Sequence, residues 1–300
     1  MRFLNPKTDF VFKKIFGSEQ SKPILISFLN ALLYDEQPVI ADLEIIDPYL
    51  APKIEGMKDT FVDVRARLQS GRQVIIEMQV LNVEGFEKRV LYNAAKAYST
   101  QLMRGEIYQD LSPVVALTIT DFVMFPESPE MESAFVLKER KALREYPQAE
   151  DLQLVFVELP KFTKSLETLG GIKDKWLYFL KHARDLQVVP SAMEAVAEIN
   201  QAFEIANHAG MSQEELEVYE HKMRYINDWH GAISLAAKQA EEKGHREGEA
   251  SGEAKARTAI ARQMLAQLDD RQIAQLTGLT VEEVAALRAE TSSQSPDNAV

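Results

Sequence analysis

Two alternating segments joined by a short turn, between residues 61 and 81, constrain this chain more than any other feature. FVDVRARL (61–68) alternates apolar and polar residues, QSG (69–71) follows, and RQVIIEMQV (72–80) alternates again. A period of two places successive side chains on opposite faces of a β-strand. A glycine within a three-residue link favours a tight turn between two such strands. The segment therefore predicts an antiparallel hairpin with one apolar and one polar face.

The register of this hairpin follows from its apolar faces, which must coincide because a slip of one residue moves every side chain to the other face. A three-residue loop at 69–71 satisfies this condition by pairing Leu68 with Arg72. The same register pairs Asp63 with Glu77. A two-residue turn would mismatch every apolar pair. The sequence therefore predicts two carboxylates directly opposite each other, with Cβ atoms about 4.5–5.5 Å apart.

Two opposed carboxylates repel each other unless a cation lies between them. Mg²⁺ takes one or two carboxylates, keeps several waters and accepts phosphate oxygens, so it suits this pair. Mn²⁺ and Ca²⁺ are the alternatives. Gln79 lies on the same face two residues on, where it would position an attacking water or stabilise developing charge. The competing interpretation of Asp63, Glu77 and Gln79 is an ordinary solvated strand face.

The rest of the first half of the chain predicts an α/β fold. Apolar residues recur at three- and four-residue spacing in 1–34 and again in 84–104, as in amphipathic helices. A short strand is expected at 43–46, and the apolar runs 113–125 and 152–162 suit strands buried on both faces. The predicted order is helix, strand, hairpin, helix, strand, helix, strand, which gives a mixed sheet flanked by helices.

Three regions are expected along the chain. Residues 1–165 would form the sheet domain, 166–236 a helical region, and 237–300 a Gly-spaced helix or linker followed by a small helical tail. The C-terminal region is thus predicted to be all-α. The last ten residues, TSSQSPDNAV, have the composition of a disordered segment.

The tail carries two features with more than one interpretation. Gly244, Gly248 and Gly252 follow a four-residue spacing that permits close helix approach and self-association, but a charged, semi-flexible linker explains them equally well. Residues 271–288 resemble a helix-turn-helix whose second helix is acidic. We therefore expect a packing or dimerisation module there, because a helix that enters a DNA groove should be basic.

Composition excludes several classes of protein. The chain has no cysteine and five scattered histidines without paired ligand spacing, so neither disulfides nor zinc are expected. It has no apolar run of membrane-spanning length and no signal-peptide pattern, which favours a cytoplasmic location without membrane contact. The net charge of −12 argues against nucleic-acid binding by the whole chain. However, residues 1–165 carry 20 Lys and Arg against 24 Asp and Glu, so the first part is near neutral.

Four motifs resemble those of the Rpn recombination-promoting nucleases, a transposase-related branch of the PD-(D/E)xK nuclease superfamily. They are TDFVFKKIFG (8–17), FVDVRA (61–66), IIEMQ (75–79) and KRVLYNAAKAYSTQL (88–102). The likeness is strongest over residues 1–125 and extends to the Gly-spaced tail. It implies a restriction-endonuclease-like sheet and Mg²⁺-dependent cleavage of double-stranded DNA with little sequence preference. Roles in recombination, mobile elements or phage defence are all compatible with it.

The resemblance also implies roles for individual residues. Asp63 and Glu77 would be the metal ligands, and Gln79 stands where the wider superfamily has lysine. Asp9 would be a further acidic contributor to catalysis, although a helix N-cap explains it equally simply. The predicted catalytic set is therefore Asp63, Glu77, Gln79 and Asp9.

Eight residues are candidates for contacts with the DNA backbone, with a solvated surface as the competing interpretation. They are Lys13, Lys14, Arg65, Arg67, Arg89, Tyr92, Lys96 and Gln101. The expected partners are double-stranded DNA and, through the C-terminal helices, a second copy of the chain. Two other functions stay open: a catalytically silent or autoregulated interaction protein that acts through its tail, and a nuclease directed at RNA.

Overall fold

The computed structural model describes residues 3–50, 58 and 60–293. Its strands are β1 (Leu43–Ile46), β2 (Tyr49–Leu50), β3 (Thr60–Phe61), β4 (Val64–Leu68), β5 (Gln73–Gln79), β6 (Val114–Thr120), β7 (Glu132–Phe135) and β8 (Leu152–Glu158). Its α-helices are α1 (Asp9–Phe16), α2 (Lys22–Leu33), α3 (Phe86–Ser99), α4 (Ile172–His182), α5 (Ser191–Glu194), α6 (Ala197–Ile205), α7 (Gln213–Met264), α8 (Asp270–Thr277) and α9 (Val281–Ser293).

Six of the strands form one mixed sheet in the order β1-β4-β5-β6-β8-β7. Strands β5, β6 and β8 are parallel to one another, and the remaining pairs are antiparallel. Strands β2 and β3 form a separate antiparallel pair. The predicted mixed sheet flanked by helices, followed by an all-α C-terminal region, is therefore confirmed.

The β4–β5 hairpin has the predicted register. Val64 lies opposite Ile76, and the Leu68 N–H donates to the Arg72 carbonyl at 2.8 Å across a three-residue loop. Gly71 has a φ of +84°, a left-handed conformation that glycine adopts without strain. The loop therefore fixes which residues face each other at the far end of the hairpin.

The larger core lies on one face of the sheet, under α1, α2, α4 and α6. Buried residues such as Ile76 and Leu117 meet an aromatic group from these helices that contains Phe16, Phe28 and Trp176. Burial of this apolar surface, at about 25 cal/mol per Å², supplies the main driving force for folding.

Helix α3 packs on the opposite face of the sheet. Its buried residues Val90, Ala94 and Ala97 pack with Ile75 of β5 and Ala116 of β6. The two alanines let the helix approach the sheet closely, because they present only a methyl group. This packing brings the polar residues of α3 next to the polar face of β5.

One predicted element is wrong. The sequence predicted a helix between the strands at 113–125 and 152–162, but the only regular α or β element there, among the described residues, is strand β7. β7 pairs antiparallel with β8 and occupies the edge of the sheet. Backbone hydrogen bonds to the open edge of β8 thus override the local helix propensity of this segment.

By packing, the chain divides into two compact units, residues 1–227 and residues 228–300, and α7 contributes to both. The first unit holds the sheet together with the helices from 166 to 227. The predicted division into 1–165, 166–236 and 237–300 therefore stays a prediction. None of the helices within the described ranges has the length and apolar character of a membrane span.

In the second unit, α8 and α9 pack around a small core of Ala261, Leu265, Ile273 and Val284. Gly278, with φ +72°, ends α8 and forms the predicted turn. The three spaced glycines lie inside α7, and no described atom lies within 4 Å of where their Cβ atoms would be. Helix α9 extends through the first three of the last ten residues, and 294–300 lie outside the described residues.

Candidate active site

The predicted site residues meet where the hairpin opens, at the carboxyl end of β5. Glu77 and Gln79 alternate on the face of β5 that α3 covers, and their neighbours across the parallel pair are Thr118 and Thr120 of β6. Asp63 directly precedes β4, and continuing the register of that strand by one step places it opposite Glu77. We call Asp63, Glu77 and the side chains that contact them the carboxylate site.

Asp63 is held by both backbone and side-chain contacts. Its N–H donates to the Ile76 carbonyl at 3.1 Å, and its Oδ2 accepts from the Met78 N–H at 2.8 Å. From α1, the Nζ of Lys13 lies 3.4 Å from Oδ1 of Asp63 and 2.5 Å from Oδ1 of Asp9. The side chain of Asp63 is only 14% exposed, so its charge is poorly solvated.

A hydrogen bond between Asp63 and Asp9 shifts the pKa values of the two carboxyls in opposite directions. Burial raises the pKa of Asp63 from 3.8 to about 7, and the hydrogen bond to Asp9 adds to the rise. Burial also acts to raise the pKa of Asp9, but the hydrogen bonds to Asp63 and Lys13 outweigh it and hold that pKa below 3.8. Below about pH 7, Asp63 therefore carries the proton and donates it in the hydrogen bond to Asp9, as expected for two neighbouring carboxylates.

Glu77 faces helix α3. Burial raises its pKa, against the opposing charge of Arg89. The Nε of Arg89 lies 3.6 Å from Oε1 of Glu77, and its Nη2 donates to Oε1 of Gln79 at 2.6 Å. Gln79 in turn donates from Nε2 to the Leu81 carbonyl at 2.6 Å. The Gln79 amide is thus occupied in holding Arg89 beside Glu77.

This donor set fits a divalent cation held by Asp63 and Glu77. Both carboxyls are buried, both have raised pKa values, and their ion pairs with Lys13 and Arg89 are long, at 3.4 and 3.6 Å. A cation between the two carboxylates would offset the free-energy cost of burying their charges. Within the described part of the chain, no three His, Asp or Glu residues form a metal-ligand group. Water and phosphate oxygens would therefore complete the coordination, as is usual for Mg²⁺.

One candidate for DNA-backbone contact, Lys96, is wrong, and a second, Gln101, is engaged with the protein backbone. Lys96 is only 3% exposed and donates to the Lys58 carbonyl at 2.7 Å and to Thr60 Oγ1 at 3.4 Å. Gln101 lies beyond the end of α3, and its amide pairs with the backbone of Ser112. In both cases a side chain that was predicted to lie at the surface is hydrogen-bonded to a backbone group of the fold.

The other candidates lie at different distances from the site. Lys13 and Arg89 contact the carboxylates directly, as described above. Lys14 instead bonds to Glu215 at the start of α7. Arg65 donates to Gln73 across the hairpin, and Arg67 donates to Glu44 of the neighbouring strand β1. Tyr92 is 38% exposed on α3. The N-cap interpretation of Asp9 is also wrong, since Thr8 occupies that position and Asp9 is the first residue of the helix.

Asn93 is a residue of the site that we did not predict from the sequence. It lies one helical turn after Arg89, is 1% exposed, and neither atom of its amide has a hydrogen-bond partner among the described residues. Its amide still lowers the pKa of Glu77, through a contact longer than a full hydrogen bond. The four-residue spacing between Arg89 and Asn93 could have indicated Asn93 as a site residue, because it places both residues on one helix face.

A family model, that of the PD-(D/E)XK nuclease family transposases, matches residues 6–236. The match covers more than half of the chain, and the chain belongs to this family. Its mixed sheet flanked by helices is that of the PD-(D/E)xK nuclease fold, and such nucleases generally use divalent metals. Comparison with curated proteins and with solved structures found no match. The family supports a nuclease- or transposase-like role.

Proposed function

We propose that this protein is a divalent-metal-dependent DNA endonuclease that hydrolyses phosphodiester bonds with low sequence preference. Asp63 and Glu77 would hold the cation, and Mg²⁺ is the ion we favour for two carboxylates with open positions. The observation that carries this proposal is the pair of buried carboxyls on neighbouring strands, both with raised pKa values. A purely structural pair of this kind would be unfavourable for folding.

The surrounding residues have distinct roles in this proposal. The cation would supply the positive charge that polarises the scissile phosphate. Arg89, fixed by Gln79 and packed over the Phe86 ring at 5.1 Å, would stabilise charge on the phosphate oxygens. Lys13 and Asp9 would orient Asp63, and Asp63 would release its proton to water when the cation binds.

Double-stranded DNA is the proposed substrate, on the strength of the family. The site lies in the part of the chain that is near neutral, and Lys13 and Arg89 place two cations beside the carboxylates. Recombination, mobile-element maintenance and phage defence are the biological settings that we propose for such an enzyme.

Cleavage of a supercoiled plasmid tests this function. We expect nicking and linearisation in Mg²⁺, none in EDTA, and a loss of at least 100-fold in Asp63→Asn and Glu77→Gln, which keep the shape of each side chain. Asp110→Asn, which removes an exposed carboxylate, is the matched control and should cut like the wild type. Full activity in both site variants would rule out the carboxylate site. Faster digestion of structured RNA than of duplex DNA would point instead to the RNA-directed alternative.

A catalytically silent or autoregulated interaction protein is the second candidate. It is favoured by one observation: Arg89 is engaged with both Glu77 and Gln79, and Lys13 with Asp63. In that case the full chain would show no metal-dependent cleavage. Removal of the residues beyond 236 would then release activity or change the oligomeric state in solution, because the tail is predicted to self-associate.

A further inference from the structure

A cavity of about 650 Å³ opens beside the carboxylate site, between β3 and the first turns of α3. Its walls include Phe61 from β3, Gly85 before the helix, and Arg89, Tyr92 and Asn93 from the helix. We call this cavity the α3 groove. Because Arg89 contacts Glu77 and Asn93 lies against it, the groove and the carboxylate site share a wall.

Two aromatic rings line the groove and face solvent. Phe61 is 63% exposed, and Tyr92 is 38% exposed. The ring of Tyr49 stacks on Phe61 with centroids 4.8 Å apart and planes at 27°, so Tyr49 covers one face and stiffens the ring. An apolar ring held in water next to a polar site is unfavourable unless a flat ligand covers it. Base–aromatic stacking is the contact that nucleic-acid strands make with such rings.

The charges of the groove suit a nucleic-acid strand. Lys88 and Arg89 lie in its wall, on the first turn of α3, and would face a phosphate backbone. The buried Lys96, also on α3, donates to the Lys58 carbonyl and to Thr60 Oγ1 and so fixes the position of β3 relative to α3. The groove is therefore held open by a buried contact and presents positive charge at its mouth.

We infer that the α3 groove binds an unpaired nucleotide of the DNA strand, next to the phosphate that the carboxylate site would cut. The base stacks on Phe61 and Tyr92. This inference rests on the proposed function and narrows it. The preferred DNA carries an unpaired base at the site, as at a flap, a mismatch or a frayed end, because a paired base cannot enter the groove without leaving its duplex.

Binding in EDTA tests the groove without cleavage. The probe is a duplex with a single-nucleotide flap of 2-aminopurine, compared with the same duplex fully paired, and both affinity and 2-aminopurine fluorescence are measured with the full chain. We expect stacking to quench the flap. Phe61→Ala should weaken binding of the flap DNA about 5- to 150-fold, the loss of one base–aromatic stack, and remove the quenching. Phe61→Trp should restore both, and Tyr108→Ala, an exposed aromatic elsewhere, should change neither.

Equal losses on flap and paired DNA in Phe61→Ala, or no loss on either, would overturn the groove as a nucleotide site.

The proposal of a nucleotide site in the α3 groove and the proposal of endonuclease activity can be refuted independently of each other. Flap binding that depends on Phe61, without any cleavage in Mg²⁺, would refute the proposed function and leave the binding site standing. Metal-dependent cleavage that is unchanged in Phe61→Ala would refute the α3 groove as a nucleotide site and leave the proposed function standing.

Discussion

Replacing Asp63 by asparagine should stabilise the metal-free protein at alkaline pH, although it removes a residue of the candidate active site. The pKa of Asp63 rises from 3.8 to about 7 in the folded state, mainly through burial. A raised pKa contributes stability that is fully present below 3.8 and is lost as the pH rises through about 7. Above that range the folded wild type must hold a buried, ionised carboxylate. Asparagine never ionises, and its Oδ1 can still accept from the Met78 N–H.

The magnitude follows from the same shift. The gap between 3.8 and about 7, at 1.36 kcal/mol per pH unit, corresponds to about 4 kcal/mol of unfolding free energy. The lowered pKa of Asp9 offsets part of this, because the two carboxyls share one proton and titrate as a pair. We therefore expect Asp63→Asn to be more stable than the wild type by about 2–4 kcal/mol at pH 8. At pH 4 the two proteins should differ little.

Urea denaturation in EDTA at pH 4, 6 and 8 measures this difference, with Asp110→Asn as a control that removes an exposed charge and should shift stability by less than about 0.5 kcal/mol. Mg²⁺ should then reverse the order. An ion at 100 times its dissociation constant stabilises the wild type by about 2.7 kcal/mol and the variant by less. If Asp63→Asn is the less stable protein at pH 8 in EDTA, burial does not strain this carboxylate. Equal stabilisation of both proteins by Mg²⁺ would place the ion elsewhere.

Three further substitutions test the surrounding fold by urea denaturation. Glu158→Gln should lower the unfolding free energy by about 3–5 kcal/mol, because it breaks the ion pair of the fully buried Glu158 with Lys161; a change below 1 kcal/mol would contradict this. Lys96→Met should lower it by about 1–3 kcal/mol through the unpaired Lys58 carbonyl, and should leave the salt dependence of DNA binding unchanged, whereas loss of a phosphate contact would reduce that slope by about one. Gly71→Ala should lower it by about 1–2 kcal/mol, since alanine is strained at φ +84°, and Ser70→Ala in the same loop is the control.

The hairpin register was predictable because it depends only on local pattern. The alternation of apolar residues in β4 and β5 leaves one pairing that buries both sets, and the three-residue loop with Gly71 permits it. The opposition of Asp63 and Glu77 is a direct consequence of that pairing. The site residues nearest in sequence to the hairpin were therefore the most predictable.

Contacts between distant elements were not predictable in the same way. Lys96 was expected at the surface because lysine usually is, but the Lys58 carbonyl lies within its reach only once β3 packs beside α3. Strand β7 forms by pairing with the open edge of β8, and no local sequence pattern predicts that edge. The hydrogen bond between Asp9 and Asp63 likewise depends on where α1 packs. In each case tertiary packing, rather than local propensity, decides the outcome.

Helix α3 connects the chemistry of the site to the packing of the fold. Gln79 lies two residues after Glu77 on β5, and its amide cannot supply a charge but holds Arg89 in place. The positive charge beside Glu77 therefore comes from the helix and not from the strand, and its position depends on how closely α3 packs on the sheet. Ala94 and Ala97 set that distance on the buried side of the helix. A larger residue at either position would displace Arg89 and Asn93 together, and would impair both the carboxylate site and the α3 groove.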